Sequence, residues 1–279
     1  MKRFAKIYVE ISNICNLNCS FCPKTERPPK VMTKSEFEAV LSKIKGYTEH
    51  IYFHLLGEPL LHPDFETFLD IAKTRGFKVI IITNGTLINK NRDALLKDNA
   101  HYKTVISLHS FEANEISQNS SFDDYLKNCL EYAKAANGKK IAVLRLWNQN
   151  GLESQNPYII SEIEKYFKKP WQTTRGGFKL CDTVYLEFGD KFDWPDTVQT
   201  EKCEKIFCYG LRDQIGILSD GRVVPCCLDN NGRLSLGNIF ESELESIINS
   251  PEALEIYNGF SNRTAVAELC KNCTYARKF

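Results

Sequence analysis

The chain has 279 residues, 43% of them hydrophobic, with 36 Lys and Arg against 35 Asp and Glu. That size suits one large globular domain, or one domain with a small companion. A formal charge of +1 leaves no electrostatic case for nucleic acid or an anionic membrane as a partner.

The longest purely apolar runs, such as residues 79–82, are far too short to cross a bilayer. Met1-Lys2-Arg3-Phe4 is not followed by the apolar core of a secretion signal. Eleven cysteines without such a signal argue for metal rather than disulfides, in a reducing, cytoplasmic setting.

Residues 4–11 read as a first strand. It runs into Cys15, Cys19 and Cys22, spaced C-x3-C-x2-C. Three thiolates at this spacing can hold three irons of a cubane cluster and leave the fourth without a protein ligand, unlike the four-cysteine runs of electron carriers. An open coordination position is what a metal centre needs to bind and activate a substrate. A zinc knuckle is the alternative, but zinc favours paired C-x2-C units, and no fourth Cys or His lies nearby.

Thr33-Lys34-Ser35-Glu36 is a capping box that starts a helix, with Phe37, Val40, Leu41 and Ile44 on its apolar face. Residues 50–56 form a second strand ending at Gly57-Glu58-Pro59. A helix starting near Pro63 buries Phe65, Phe68, Leu69 and Ala72 and stops at Gly76. Strands follow at 77–82, 103–109 and 140–147, with helices at 122–136 and about 158–168. A short strand precedes Arg175.

Five or six strand–helix units with apolar strands imply a parallel sheet covered by helices. Right-handed crossovers would close it into a barrel or part of one, short of the eight units of a full barrel. Function then gathers at the C-terminal ends of the strands. Cys15, Cys19, Cys22, Gly57, Glu58, Pro59, Asn84, Ser107, His109, Arg145 and Trp147 all fall there.

Residues 208–279 have another character. Ser219-Asp220-Gly221 turns a hairpin, and Cys226, Cys227, Gly237-Asn238-Ile239, a helical stretch over 241–249 and Cys270-Lys271-Asn272-Cys273 follow. The division is placed near Gly176, giving regions 1–175 and 176–279.

The C-x3-C-x2-C motif with Phe21 before its last cysteine resembles the signature of radical S-adenosylmethionine (SAM) enzymes. The resemblance implies an α/β fold, a partial (β/α)6 TIM-like barrel. It implies a [4Fe–4S] cluster on Cys15, Cys19 and Cys22 whose open iron chelates SAM and cleaves it to a 5′-deoxyadenosyl radical. A reductant such as flavodoxin or ferredoxin would supply the electron. Leu56-Gly57-Glu58-Pro59 is similar to the Gly-Gly-Glu-Pro segment that receives SAM's ammonium, with Leu56 in place of the first glycine. Asn84 joins Gly57, Glu58 and Pro59 on the cofactor side. Ser107 resembles the residue that contacts SAM's ribose, and Arg145 the one that pairs with its carboxylate. Arg145 also suits a structural ion pair. His54, His109 and Cys129 read as core residues, and Cys181 as structural or free.

The later cysteines resemble the SPASM/twitch region of the same enzymes, which holds auxiliary [4Fe–4S] clusters. With six residues after Cys273, the match is to the short, one-cluster form, ligated by Cys208, Cys226, Cys270 and Cys273. Cys227 could replace Cys226, Cys203 is a spare, and a structural zinc also suits four cysteines in two groups. Four thiolates leave no open position, so this cluster would transfer electrons.

Further segments, Phe53 to Leu61 and Thr174-Arg175-Gly176-Gly177, resemble the radical SAM dehydrogenases of aminocyclitol antibiotic biosynthesis. That likeness implies oxidation of a ring alcohol to a ketone in a small sugar- or cyclitol-like substrate, with Arg175 taking the alcohol proton. An aromatic and acidic stretch, residues 185–204, departs from it and is expected to shape a substrate pocket or lid. The rival expectations are a peptide maturase using the same radical chemistry, and a non-catalytic iron–sulfur electron carrier.

Overall fold

The structure is a computed structural model that describes residues 4–114, 121–195 and 202–278. The strands in chain order are β1 (Lys6–Val9), β2 (His50–Phe53), β3 (Lys78–Thr83), β4 (His101–Ser107), β5 (Ile141–Gln149), β6 (Gln172–Thr174), β7 (Gly177–Lys179), β8 (Val184–Asp190), β9 (Gln214–Ile217) and β10 (Val223–Val224). The helices are α1 (Lys34–Ile44), α2 (Phe65–Thr74), α3 (Arg92–Leu96), α4 (Phe122–Ala136), α5 (Asn156–Tyr166), α6 (Leu244–Ile248), α7 (Pro251–Ser261) and α8 (Glu268–Lys271). Among the described residues no helix is long and apolar enough to cross a membrane.

The chain packs as two units. The first comprises Met1–Cys15, Pro23–Lys78 and Phe192–Phe279; the second comprises Asn16–Cys22 and Val79–Lys191.

In the first unit β1 pairs in parallel with β2, Ile7 opposite Ile51. On its other side β1 pairs in parallel with β9, Val9 opposite Ile217, and β10 closes an antiparallel hairpin on β9. The hairpin at Ser219-Asp220-Gly221 is the one expected. Its parallel docking onto β1 is a long-range pairing that no local pattern announces. Thr33 caps α1 with the full capping box, its side chain accepting from Glu36 N–H, and Phe37, Val40, Leu41 and Ile44 are buried. In α2, Phe65, Phe68, Leu69 and Ala72 form the buried face. Phe37 stacks on Phe68 with ring centroids 4.2 Å apart, which joins the two helices.

In the second unit β3, β4, β5 and β8 pair in parallel in that order. The sixth parallel strand of the chain's strand–helix series is therefore β8, not the short strand before Arg175. That short strand, β6, exists but turns back antiparallel into β7, which pairs antiparallel with β8. Residues 176–191 thus carry β7 and β8. The other differences are local. β4 ends at Ser107, and Leu108–Ser110 coil into a 3-10 turn, so His109 lies beyond the strand. α5 starts two residues early because Pro157 occupies its first turn, and α3 was not foreseen. The apolar face of α4, with Leu126, Cys129, Leu130 and Ala133, is buried as its periodicity requires.

Candidate active site and cysteine pocket

In the first unit, the chain leaves β1 through Glu10, Ser12 and Asn13 and reaches Cys15, which is exposed. The Glu10 carboxylate is fully buried and pairs with Arg27 Nη2 at 2.7 Å. It also accepts from Ser219 N–H (3.1 Å) and Ser219 Oγ (2.8 Å). Arg27 Nε donates to the carbonyl of Asn230 at 2.9 Å. One buried ion pair thus braces the end of β1 against the loop after Cys226 and Cys227.

The Leu56-Gly57-Glu58-Pro59 turn backs onto the segment before Cys15. Glu58 N–H donates to Ile14 O at 2.9 Å. Gly57 has φ +77°, and a Cβ there would stand 2.2 Å from Ser12 O, so only glycine fits. Glu58 is 1% exposed, and its carboxylate accepts from Leu60 N–H at 3.1 Å, capping the 3-10 turn Pro59–Leu61.

In the second unit, the turn carrying Cys19 and Cys22 is held by side-chain amides. Asn84 Nδ2 donates to Asn16 Oδ1 (3.0 Å) and Asn16 Nδ2 to Thr86 Oγ1 (2.8 Å). Asn18 N–H donates to Asn114 Oδ1 at 2.7 Å, and Ser20 N–H to Ala113 O at 2.9 Å. Asn114 Nδ2 reaches Cys19 Sγ at 3.1 Å. Asn84 therefore supports the cysteine turn. Asn16, Thr86 and Asn114 were missed, because a lone polar residue carries no periodic or spacing signal.

Phe21 packs its ring on His109, centroids 5.2 Å apart. His109 is buried, and burial lowers its pKa to about 4. Trp147 N–H donates to its Nδ1 at 3.3 Å. This is the satisfied core histidine expected, though from a turn. Cys129 is likewise core, its thiol pushed up to about 12 by burial.

Ser107, Arg145 and Glu187 form one cross-strand row at the ends of β4, β5 and β8. Arg145 pairs with Glu187 at 3.2 Å, and its guanidinium lies 4.0 Å from the Trp147 ring. The ion-pair alternative is thus realised. Yet Arg145 Nε is buried without a hydrogen-bond partner among the described residues, and a buried donor costs stability until it finds an acceptor. A ligand carboxylate fits that vacancy. Arg175, with Gly176, turns the exposed β6–β7 hairpin. Gly177 is required there, because a Cβ would meet Leu186 O at 2.1 Å.

Back in the first unit, Cys208, Cys226, Cys270 and Cys273 line one pocket. Its other walls are mainly apolar and include Ile206, Leu228, Leu234, Phe260 and Leu269. Asp229 also lines it, but its carboxylate accepts from Arg233 and Leu234 N–H, both at 2.8 Å. Burial raises all four thiols, Cys208 to about 11. Cys227 does not line the pocket. Its thiol meets Tyr8 and packs on the apolar cluster of Tyr8, Leu55, Leu218 and Val224. Cys203 is also outside the lining. Of residues 185–204, Val184–Asp190 is strand β8, and Asp193 is tied to Thr274, its carbonyl accepting from Thr274 Oγ1 at 2.8 Å. Residues 196–201 of that stretch lie outside the described residues.

Among the described residues no three His, Cys, Asp or Glu side chains converge on a single ion, and a soft, four-thiol donor set in an apolar pocket suits an iron–sulfur cluster, whose corners hold thiolates farther apart than one tetrahedral ion does.

Comparison with known proteins agrees with this geometry. Residues 208–274 match the iron-sulfur cluster-binding SPASM domain. The chain is 20% identical over 280 residues to the S-adenosyl-L-methionine-dependent 2-deoxy-scyllo-inosamine dehydrogenase of Niallia circulans, covering 98% of this chain and 93% of that one. The fold is similar to that of BtrN in complex with AdoMet and 2-DOIA, with TM-score 0.62, 18% identity and 98% and 94% of the two chains covered. It is also similar to that of Streptococcus suis SuiB bound to precursor peptide SuiA, with TM-score 0.58, 18% identity and 99% and 73% covered. In other curated relatives, at 30–34% identity, the match spans only about a third of their length. The expected α/β, partial TIM-like barrel fold class stands, and with it a [4Fe–4S] cluster, SAM and auxiliary iron–sulfur clusters as cofactors. Since residues 9–151, just over half its length, match the Radical SAM superfamily, the chain belongs to that superfamily.

Proposed function

We propose that this radical SAM enzyme is an oxidoreductase that removes two electrons from a small polar, sugar- or cyclitol-like alcohol. The observation that carries the reading is the pocket lined by Cys208, Cys226, Cys270 and Cys273. Four thiolates saturate a cubane and leave it no substrate position, so its use is to take up an electron.

When bound, SAM and the two clusters supply the hydrogen-atom abstraction and the one-electron acceptor, which is chemistry no side chain offers. The chain's residues bind and orient. Cys15, Cys19 and Cys22 hold the first cluster. Gly57, Glu58 and Pro59 offer backbone carbonyls and a carboxylate to the ammonium of SAM. Arg145, through its unpartnered Nε, receives the carboxylate, and Ser107 contacts the ribose. Asn84 acts on the cofactor side by holding Asn16. Arg175 is assigned to the substrate hydroxyl, whose proton it would take as the carbonyl forms only from its neutral guanidine form, since a guanidinium has no acceptor. A flavodoxin- or ferredoxin-class donor supplies the starting electron, which fits a reducing cytoplasm. The proposed regions 1–175 and 176–279 assign SAM chemistry to the first and electron uptake to the cysteines of the second, with β8 of the second completing the parallel strands.

The small-molecule assignment draws on the near-complete coverage of both chains by the inosamine dehydrogenase match. The likeness to SuiB with its precursor peptide supports a peptide substrate as the second reading.

The test is anaerobic turnover of a polyol panel and a peptide panel, with product, 5′-deoxyadenosine and iron counted. The oxidoreductase reading expects about eight irons per chain and a ketone product whose formation Cys270→Ser abolishes. Ketone formation undiminished in Cys270→Ser would overturn it. Turnover of peptides alone would establish the second reading.

A further inference from the structure

We propose that Asn114 is the positioning residue that sets the reduction potential of the cluster on Cys15, Cys19 and Cys22, through an N–H···S bond to Cys19. The inference rests on the radical SAM reading of those cysteines and goes beyond it.

The amide orientation is fixed by its partners. Asn18 N–H can only donate, so Oδ1 must be the atom that receives it, at 2.7 Å. Ser110 O can only accept, so Nδ2 must face it, at 2.6 Å. The remaining hydrogen of Nδ2 then points to Cys19 Sγ at 3.1 Å. Asn114 and Cys19 are each 8% exposed, so water is a poor substitute for that donor. Cys15, by contrast, is exposed.

A donor on a cluster sulfur stabilises the reduced, more negative state over the oxidised one, which raises the potential. Without it, the cluster is harder to reduce. Asn114 thus does more than hold the turn. It makes reduction accessible to a donor of the flavodoxin or ferredoxin class.

The experiment is a redox titration of the full-length holoprotein, followed by electron paramagnetic resonance and reading the signal that SAM perturbs. Asn114→Asp keeps the acceptor for Asn18 N–H, loses the donor to sulfur and adds a negative charge. Asn114→Ala removes the donor without adding charge. Thr86→Val loosens the same turn at Asn16 without touching a sulfur. The expected order of midpoint potentials is wild type equal to Thr86→Val, then Asn114→Ala lower, then Asn114→Asp lowest, with iron content retained in the alanine variant. An Asn114→Ala midpoint equal to wild type would overturn the inference. So would an equal fall in Thr86→Val, or loss of the first cluster from Asn114→Ala, since either leaves Asn114 a purely structural role. A wild-type protein lacking any SAM-sensitive signal would sink the underlying reading instead.

Discussion

The turn Asn16–Cys22 is held by neutral amides: Asn84 on Asn16, Asn114 on Asn18 and Cys19, Thr86 on Asn16. The pocket of Cys208, Cys226, Cys270 and Cys273 is walled mainly by aliphatic and aromatic side chains, and burial raises all four thiols. Amides fix a loop while leaving its surroundings polar, which suits a centre that must admit a charged ligand. Apolar walls exclude water and ligands alike, which suits a centre that only exchanges electrons. The two kinds of wall match the two roles proposed for the clusters.

The sharpest way to break that contrast is to exchange the neighbours Cys226 and Cys227. Cys226→Ser is expected to remove about four irons per chain and leave the SAM-dependent signal intact, whereas Cys227→Ser keeps about eight. Iron and sulfide analysis reads this directly. Loss of iron from the Cys227 variant alone would mean that the pocket's ligand set is misassigned.

Arg27→Ala strands the Glu10 carboxylate, fully buried beside Ser219, and lets go of Asn230. Removing one partner of such a pair costs about 3–5 kcal/mol, to be read by denaturant unfolding of the metal-free chain. A loss below about 1 kcal/mol would show that the pocket's loop is braced by packing alone.

The second unit buries two histidines, His101 and His109. Burial lowers His101 and His109 from 6.5 to about 4. Both are held neutral when folded, so as pH falls the unfolded chain binds their protons first. The stability they contribute is complete above about pH 6.5 and is lost progressively toward pH 4, up to about 3 kcal/mol for each. Hydrogen exchange should show amides of β4 and β5 losing protection through that window. Unchanged protection of β4 and β5 between pH 6.5 and pH 4 would show that the fold does not hold these histidines neutral.

Much of this was legible in the sequence for reasons of locality. Thr33 and Glu36 lie within one turn, as do the apolar residues of α1, α2 and α4, so their patterns survive without tertiary knowledge. The pocket cysteines were legible through their resemblance to the SPASM/twitch pattern, which left Cys226 and Cys227 as alternatives. The pairing of β9 with β1 was not, since Val9 and Ile217 meet across more than two hundred positions. Residues 185–204 were expected to shape a pocket or lid, and strand β8 within them was not foreseen, because Tyr185 and Glu187 give no apolar run and the Arg145 partner of Glu187 lies far off in sequence. Asn114 was illegible because one asparagine among many has no pattern. Arg175 was singled out by its glycines, and Gly177 is explained by the close approach of Leu186 O. Backbone packing therefore accounts for part of that motif on its own, and the arginine has to be tested separately from the glycines.

Glu58 supplies the finest test, because it stands on both sides of the contrast. It is as buried as a structural residue, and its carboxylate caps the turn at Leu60. It also sits in the segment proposed to meet the ammonium of SAM. Glu58→Gln keeps an oxygen to accept from Leu60 N–H and removes only the charge. A purely structural cap predicts stability within about 0.5 kcal/mol of wild type and unchanged SAM affinity. A carboxylate that faces a cation predicts the same stability with SAM binding weakened about tenfold, or about 1.4 kcal/mol. Calorimetric titration of the reconstituted protein with SAM, beside its unfolding curve, separates the two. The weakened-binding outcome is the one expected, since a carboxylate attracts an ammonium far more strongly than a neutral amide does.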